Sequence, residues 1–265
     1  ALQAIAISAD LLKPFLDLSK ISTPECVSTV LAHTNIILET LLTTTQRTPG
    51  QPLIADIFSV VRCLITPSNE ASKAPSREYT IQLAMSALAA ITATLVEMKK
   101  ADKLKRVAQQ QESLPSTISR SPSAGGPPKI ISSKEKKKQE EKAAMEANQL
   151  CSEADRKVLV PLYDIALITE CMKTVRNTQV HIHSLSLLAA VSVLLPDSVL
   201  AHIVDVLSFI TTSSMTQDDS ATFSVLRKTI EAIVPPMIQK GISGAAQLLQ
   251  ALVGGFRTIP VNRRL

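Results

Sequence analysis

Tryptophan is absent from this 265-residue chain, aromatic residues make up only 3% of it, and only 7 glycines occur. A core without aromatic bulk has to be built from Leu, Ile, Val and Ala, which suits helices that stack on one another. Seven glycines are too few for a sheet-rich fold with many tight turns, or for a glycine-rich phosphate loop. The composition therefore predicts an all-α protein.

Long apolar runs and paired cysteines are also lacking. No uninterrupted apolar stretch reaches the roughly 18 to 20 residues that span a bilayer, so we expect no contact with a membrane. Cys26, Cys63, Cys151 and Cys171 form no CxxC pair, which argues against a zinc knuckle or a redox motif. We expect buried, reduced thiols and no bound metal or cofactor.

The formal net charge of +5 is concentrated in one part of the chain. Residues 99–142 contain 12 Lys and Arg against 5 Asp and Glu, a local charge of +7. The remaining chain carries 16 basic against 18 acidic residues and is close to neutral. The basic character therefore belongs to a segment and not to the folded parts.

The amino-terminal part, residues 1–110, has the periodicity of helical hairpins. Thr23 and Pro24 form a helix start signal, and the apolar residues that follow recur at steps of three and four. Further helices are predicted over residues 52–65 and from Ser76, with an apolar stripe that extends to Met98 before charge takes over at Lys99.

A disordered Ser/Pro/Gly linker is predicted for residues 111–134, because this stretch has almost no large apolar side chains to offset the entropy cost of ordering. Residues 135–150 are rich in helix formers but lack an apolar stripe, which predicts a charged, solvated helix. Between them these two segments divide the helical parts of the chain.

Helical periodicity returns over residues 151–265, with expected breaks at Asn177, at Pro196, near residues 217–219 and near residues 241–244. One stripe runs from Val180 to Leu195, a second from Val199 to Ile210, and a third holds Phe223, Leu226, Ile230, Ile233 and Met237. Helices with one apolar face and short connections predict a HEAT/armadillo-like α-solenoid of antiparallel helix pairs, interrupted by the disordered basic linker.

No residue pattern indicates catalysis or a small-molecule substrate. His181 and His183 are about 200° apart on a helix and cannot hold one metal ion from one face. Asp218 and Asp219 fall in a predicted turn, where carboxylates cap helices. The chain has neither a nucleophile elbow nor an HExxH motif, so we do not expect an enzyme.

The basic segment is a candidate for contact with RNA, because clustered cations neutralise phosphates. The segment has no interleaved aromatic residues to stack on bases, so a solubilising linker is the favoured interpretation and a true RNA contact is the alternative. The candidate residues are Lys103, Lys105, Arg106, Lys134, Lys136, Lys137 and Lys138.

Residues 164–238, together with the ending FRTIPVNRRL, resemble the HEAT repeat-containing protein 1 family, the giant HEAT-repeat subunit of the small-subunit processome. The resemblance covers about 100 residues. The residues that carry it are Asn177, Gln179, His181, His183, Pro196, Asp218, Asp219, Thr229, Pro235, Pro260, Arg263 and Arg264.

This resemblance implies a nucleolar, non-enzymatic scaffold that supports assembly of the processome, transcription of pre-ribosomal RNA and maturation of the small-subunit RNA. The implied partners are other processome proteins of WD40 and helical types, together with pre-ribosomal or small nucleolar RNA through the basic linker. The alternative is a HEAT-repeat adaptor of the nuclear-transport or phosphatase-scaffold type, which binds a protein cargo.

Overall fold

The computed structural model of the chain describes residues 16–18, 24–44, 53–112, 150–212 and 220–239, together with residues 246, 249, 250 and 253. Of the described residues 88% are helical, and none is in a strand. The prediction of an all-α protein is confirmed.

Nine α-helices and two short 3-10 helices make up the described fold. The helices are α1 (Pro24–Thr44), α2 (Ile54–Ile65), α3 (Arg77–Glu112), α4 (Glu153–Leu159), α5 (Ile165–Thr174), α6 (Thr178–Leu194), α7 (Pro196–Leu200), α8 (Ile203–Thr212) and α9 (Ser220–Gln239). The 3-10 helices are Glu70–Lys73, before α3, and Val160–Leu162, after α4.

Helix starts follow the local sequence signals. Pro24 is the first residue of α1, where its missing N–H costs no hydrogen bond. Ser152 and Asp155 form a capping box at α4, since each side chain accepts a hydrogen bond from the other residue's backbone N–H. Asp164 caps α5 by accepting from the N–H of Leu167.

The long helices lie in two rows. In the first row α1 packs on α3, α3 on α6, and α6 on α9. In the second row α2 packs on α5, and α5 on α8. The rows are joined by contacts of α2 with α3 and of α5 with α6. This order of contacts is the one expected when helical pairs are stacked along a chain.

A single cluster of buried apolar side chains fills the space between the rows. It contains Leu31 of α1, Ile57 of α2, Leu88 of α3, Ile168 of α5 and Leu188 of α6, all fully buried. Aliphatic residues supply nearly all of its volume, as the low aromatic content predicts. Phe58, Tyr163 and Phe209 are exceptions, and the rings of Phe58 and Tyr163 meet edge to face at 6.2 Å.

Three details of the predicted stripes are wrong. Met98, predicted to lie on the packed face of α3, is 44% exposed, because it lies just beyond Leu95 and Val96, where the buried face of the described part of α3 ends. The stripe from Val199 to Ile210 is divided between α7 and α8 by the turn at 201–202. Val204, in this divided stripe, is 60% exposed. Ile230 of α9, predicted for the third stripe, is 38% exposed.

The buried Tyr163 hydroxyl lies 2.9 Å from the Thr92 hydroxyl, which also donates to the carbonyl oxygen of Leu88. Burial raises the pKa of Tyr163 to about 12. This contact connects α3 to the segment that leads into α5. It also gives a partner to the Tyr163 hydroxyl, which is buried.

Replacing Tyr163 with Phe should lower the free energy of unfolding by about 1 kcal/mol, because the Thr92 hydroxyl keeps its bond to Leu88 and loses only one partner. Chemical denaturation of the two proteins measures this difference. In the matched control, Tyr79→Phe removes an exposed hydroxyl bonded to Glu39 and should have a smaller effect. Equal losses at the two sites would contradict the assignment.

Candidate functional site

The three described basic candidates, Lys103, Lys105 and Arg106, lie on the part of α3 that extends past the packed rows. Residues 97–106, which we call the α3 arm, follow Val96, the last buried apolar residue in the part of the helix whose burial is described. Leu104 within the arm is 71% exposed, so the arm has no apolar face packed against the described core.

Two other cations of the α3 arm already have protein partners. Lys99 Nζ lies 2.6 Å from Asp155 Oδ1 of α4, and Lys100 Nζ lies 2.8 Å from Glu97 Oε1. The hydrogen bond from Lys99, assisted by those from Ser152, lowers the pKa of Asp155. The Lys99–Asp155 ion pair thus fixes the base of the arm to the start of the next helical pair.

The remaining arm cations, Lys103, Lys105 and Arg106, form no ion pair with any acidic residue in the described part of the chain. The predicted candidates Lys134, Lys136, Lys137 and Lys138 lie outside the described residues, as do residues 113–149 in general. Among the described residues, the α3 arm is therefore the one place where closely spaced cations form no ion pair.

Asn177 proves to be the amino-terminal cap of α6. Its side-chain oxygen accepts from the backbone N–H groups of Gln179 and Val180 at 2.9 and 3.4 Å. Gln179 itself is exposed. Asn177 thus has a structural role in fixing where α6 begins.

Replacing Asn177 with Ala should lower the free energy of unfolding by about 1 kcal/mol, because two backbone N–H groups lose their acceptor. Replacing the exposed Gln179 with Ala two positions later should change it by less than about 0.5 kcal/mol. Urea denaturation of the two variants makes the comparison. A larger loss for the Gln179 variant than for the Asn177 variant would contradict the cap assignment.

The two histidines have different surroundings. His181 Nε2 lies 2.6 Å from the carbonyl oxygen of Val175, and its ring meets Phe209 edge to face at 4.9 Å. His183 is half-buried, and burial lowers its pKa. His181 therefore joins α6 to α8 by packing.

The other family-resembling residues are spread over several elements. Pro196 begins α7, Thr229 is buried in α9, and Pro235 is exposed in α9. Thr229 Oγ1 donates to the carbonyl oxygen of Leu185 at 3.2 Å and ties α9 to α6. The remaining positions, Asp218, Asp219, Pro260, Arg263 and Arg264, lie outside the described residues. The described members act in capping and packing.

In the described residues no group of three or more His, Cys, Asp or Glu could hold a metal ion. Cys151 and Cys171 are buried, whereas Cys26 is exposed and Cys63 is half-buried. The prediction that all four thiols are buried is therefore wrong for Cys26, which lies on the face of α1 turned away from α3.

Ion pairs between neighbouring helices of the second row were not predicted from the sequence. Arg62 of α2 contacts Asp164, the cap of α5, and Lys173 of α5 contacts Asp205 of α8 at 2.6 Å. Asp164 could have been recognised as a cap, because it precedes the apolar residues of α5. Its partner Arg62 is 102 positions away, and no local pattern identifies it.

Length and composition alone would allow two described helical stretches, Cys26–Thr43 and Arg77–Arg106, to cross a membrane. The second stretch is 56% buried within the protein, and the first is 28% buried. Both contribute to the shared core through residues such as Leu31 and Leu88, as core helices do.

A scan against protein-family models finds no match. Among curated proteins, the chain is 33% identical over 106 residues to U3 small nucleolar RNA-associated protein 10 of Aspergillus fumigatus, and equally so to that of Emericella nidulans. It is 28% identical over 114 residues to HEAT repeat-containing protein 1 of Danio rerio.

These similarities cover 37% of the chain for the two fungal proteins and 39% for the fish protein. The chain spans only about 6% of the length of the fungal relatives and 5% of the fish relative. The relatives are therefore much longer proteins, of which the similar region is a small part.

Proposed function

We propose that this chain, which belongs to the HEAT repeat-containing protein 1 family, is a non-catalytic scaffold segment in the small-subunit processome. In this role it supports processome assembly in the nucleolus, transcription of pre-ribosomal RNA and maturation of the 18S RNA. Its partners are other processome proteins, including subunits of the WD40 and helical types. The names of the relatives, a U3 small nucleolar RNA-associated protein and a HEAT repeat-containing protein, support this proposal.

The architecture that we propose for this scaffold is a HEAT/armadillo-like α-solenoid of antiparallel pairs. The observation that carries it is the order of packing, α1–α3–α6–α9 in one row and α2–α5–α8 in the other. Only Val175, Arg176 and Asn177 separate α5 from α6, and the two helices contact each other. A short connection between contacting helices makes the chain reverse direction, as in a helical hairpin.

A scaffold function fits the way in which the apolar side chains are used. The buried residues of α6 face α3 on one side and α9 on the other, so helix packing occupies the apolar surface that a ligand pocket would otherwise need. The outward faces of both rows then remain for protein partners, as in other repeat proteins. The linker predicted for residues 111–134, whose first two residues belong to the end of α3, would extend from the stacked helices between α3 and α4.

The experiment is purification of the full-length tagged protein from the cells that make it, followed by identification of the proteins and RNAs that accompany it. We expect U3 small nucleolar RNA, pre-ribosomal RNA and processome proteins to be enriched over an untagged control, and the protein to be nucleolar by imaging. Recovery of transport cargo or phosphatase subunits from a diffuse cytosolic pool, without pre-ribosomal RNA, would overturn the proposal in favour of the adaptor alternative.

Two variants of the full-length protein sharpen this experiment. Leu188→Ala opens a cavity in the core of α6, whereas Val193→Ala changes an exposed side chain of the same helix. If docking uses the folded helical rows, the first variant should recover less of the processome at equal protein levels. The second should recover as much as the wild type. Equal recovery by a demonstrably unfolded Leu188 variant would place docking elsewhere in the protein.

A further inference from the structure

We propose that the α3 arm binds the phosphate backbone of RNA through Lys103, Lys105 and Arg106, without reading the base sequence. This inference rests on the proposed function, because a ribosome-biogenesis assembly makes RNA the polyanion available to the arm. It assigns the contact to one helical element, whose base is fixed by the Lys99–Asp155 ion pair.

The first support is the contrast between cations of the arm and cations of the helical rows. Arg62, Arg156 and Lys173 each pair with an acidic residue of another helix, at Asp164, Asp197 and Asp205. Their charge is used within the fold. The three distal cations of the arm have no such partner in the described residues, so their charge is available to an external anion.

The second support is the spacing of these cations along a helix. Lys103 and Arg106 are three positions apart, which places them about 60° apart around the axis and about 4.5 Å along it. Both can therefore reach one strand of phosphates. Lys105 lies on another side of the helix, so a strand that wraps around the arm, or a second segment of RNA, can contact it.

The third support is what the arm lacks. Residues 97–106 contain no aromatic side chain on which a base could stack, and Asp102 is the one acidic residue among positions 99–106. Without stacking or amide groups to read base edges, binding depends on charge and on release of counterions. The expected contact is therefore strongly dependent on salt and tolerant of sequence.

The test measures binding of the whole 265-residue chain to a fluorescent single-stranded RNA of mixed sequence across a range of salt concentrations. In the test variant Lys103, Lys105 and Arg106 are all replaced with Gln. We expect its affinity to fall roughly 10- to 100-fold at 0.1 M salt, and the slope of log affinity against log salt to flatten by about 2. Circular dichroism should show unchanged helix content, since all three changes lie outside the buried core.

The matched control removes the same charge elsewhere. Lys157, Arg227 and Lys228 are exposed, and replacing all three with Gln lowers the net charge equally. RNA affinity within about twofold of the wild type in this control supports a site at the arm. A second variant, Lys103→Arg with Lys105→Arg, keeps the charge and should keep the affinity.

Two outcomes overturn the inference. These are wild-type RNA affinity in the Gln variant of the arm, and equal losses of affinity in both Gln variants. If the arm variant keeps its RNA affinity but binds a polyglutamate peptide more weakly, the arm is assigned to an acidic protein instead. Failure of the RNA inference does not affect the scaffold proposal. If the proposed function is correct, the full-length protein with the Gln changes in the arm would still purify with processome proteins.

Discussion

Replacing Leu188 with Ala should lower the free energy of unfolding by about 2 to 5 kcal/mol, the largest loss that we expect from one truncation in this chain. Leu188 is fully buried in α6, and α6 packs against both α3 and α9. Truncation removes apolar contacts and leaves a cavity between helices that have limited freedom to close it. A domain stable by about 5 to 15 kcal/mol would lose a large part of its margin.

Urea denaturation followed by circular dichroism measures this effect, with Val193→Ala as the control. Val193 lies on the same helix and is exposed, so its truncation should cost less than about 0.5 kcal/mol. Similar losses at the two positions would mean that α6 does not occupy the centre of the row.

Cys171 should react with a thiol reagent at least about 1000-fold more slowly than Cys26 in the native protein. Burial raises the pKa of Cys171 to about 12, whereas Cys26 is exposed on α1. The buried thiol needs an opening of the core before it can react, and an opening free energy of about 4 to 5 kcal/mol gives a factor of this size. The thiolate, which is the reactive form, is also disfavoured at Cys171.

The measurement follows the reaction at pH 8 in two variants that each retain one of these two cysteines, the others being replaced with Ser. Denaturant should bring the two rates together. The raised pKa has a second consequence for stability at high pH. Unfolded Cys171 ionises near 9.0 and folded Cys171 near 12, so its contribution to stability is lost as pH rises through that window. Rapid reaction of Cys171 without denaturant would contradict the buried position.

Much of this fold follows from local sequence, and α1, α3 and α6 show why. The predicted start at Thr23 and Pro24 and the start near Ser76 agree with helices that begin at Pro24 and Arg77. Val180 and Leu188 are buried as the stripe of α6 predicts. Capping and periodicity are properties of neighbouring residues, so a single sequence contains them.

The errors arise where distant parts of the chain decide the outcome. Met98 continues the periodicity of α3, yet it is 44% exposed, because the packing partners of α3 come from distant parts of the chain and local spacing does not show which positions they cover. The division between α7 and α8 near His202 has no Gly or Pro to mark it. In the candidate site, charge density identified the arm, but the pairing of Lys99 with Asp155 required the fold.

The central claim is that the apolar helical faces are consumed by packing between neighbouring helices, and amide hydrogen exchange along the whole chain tests it most directly. We predict the slowest exchange in α6 and in residues 80–96 of α3, with residues 97–106 exchanging orders of magnitude faster within the same helix. Uniformly fast exchange through α6, or an α3 arm as protected as residues 80–96, would contradict the claim.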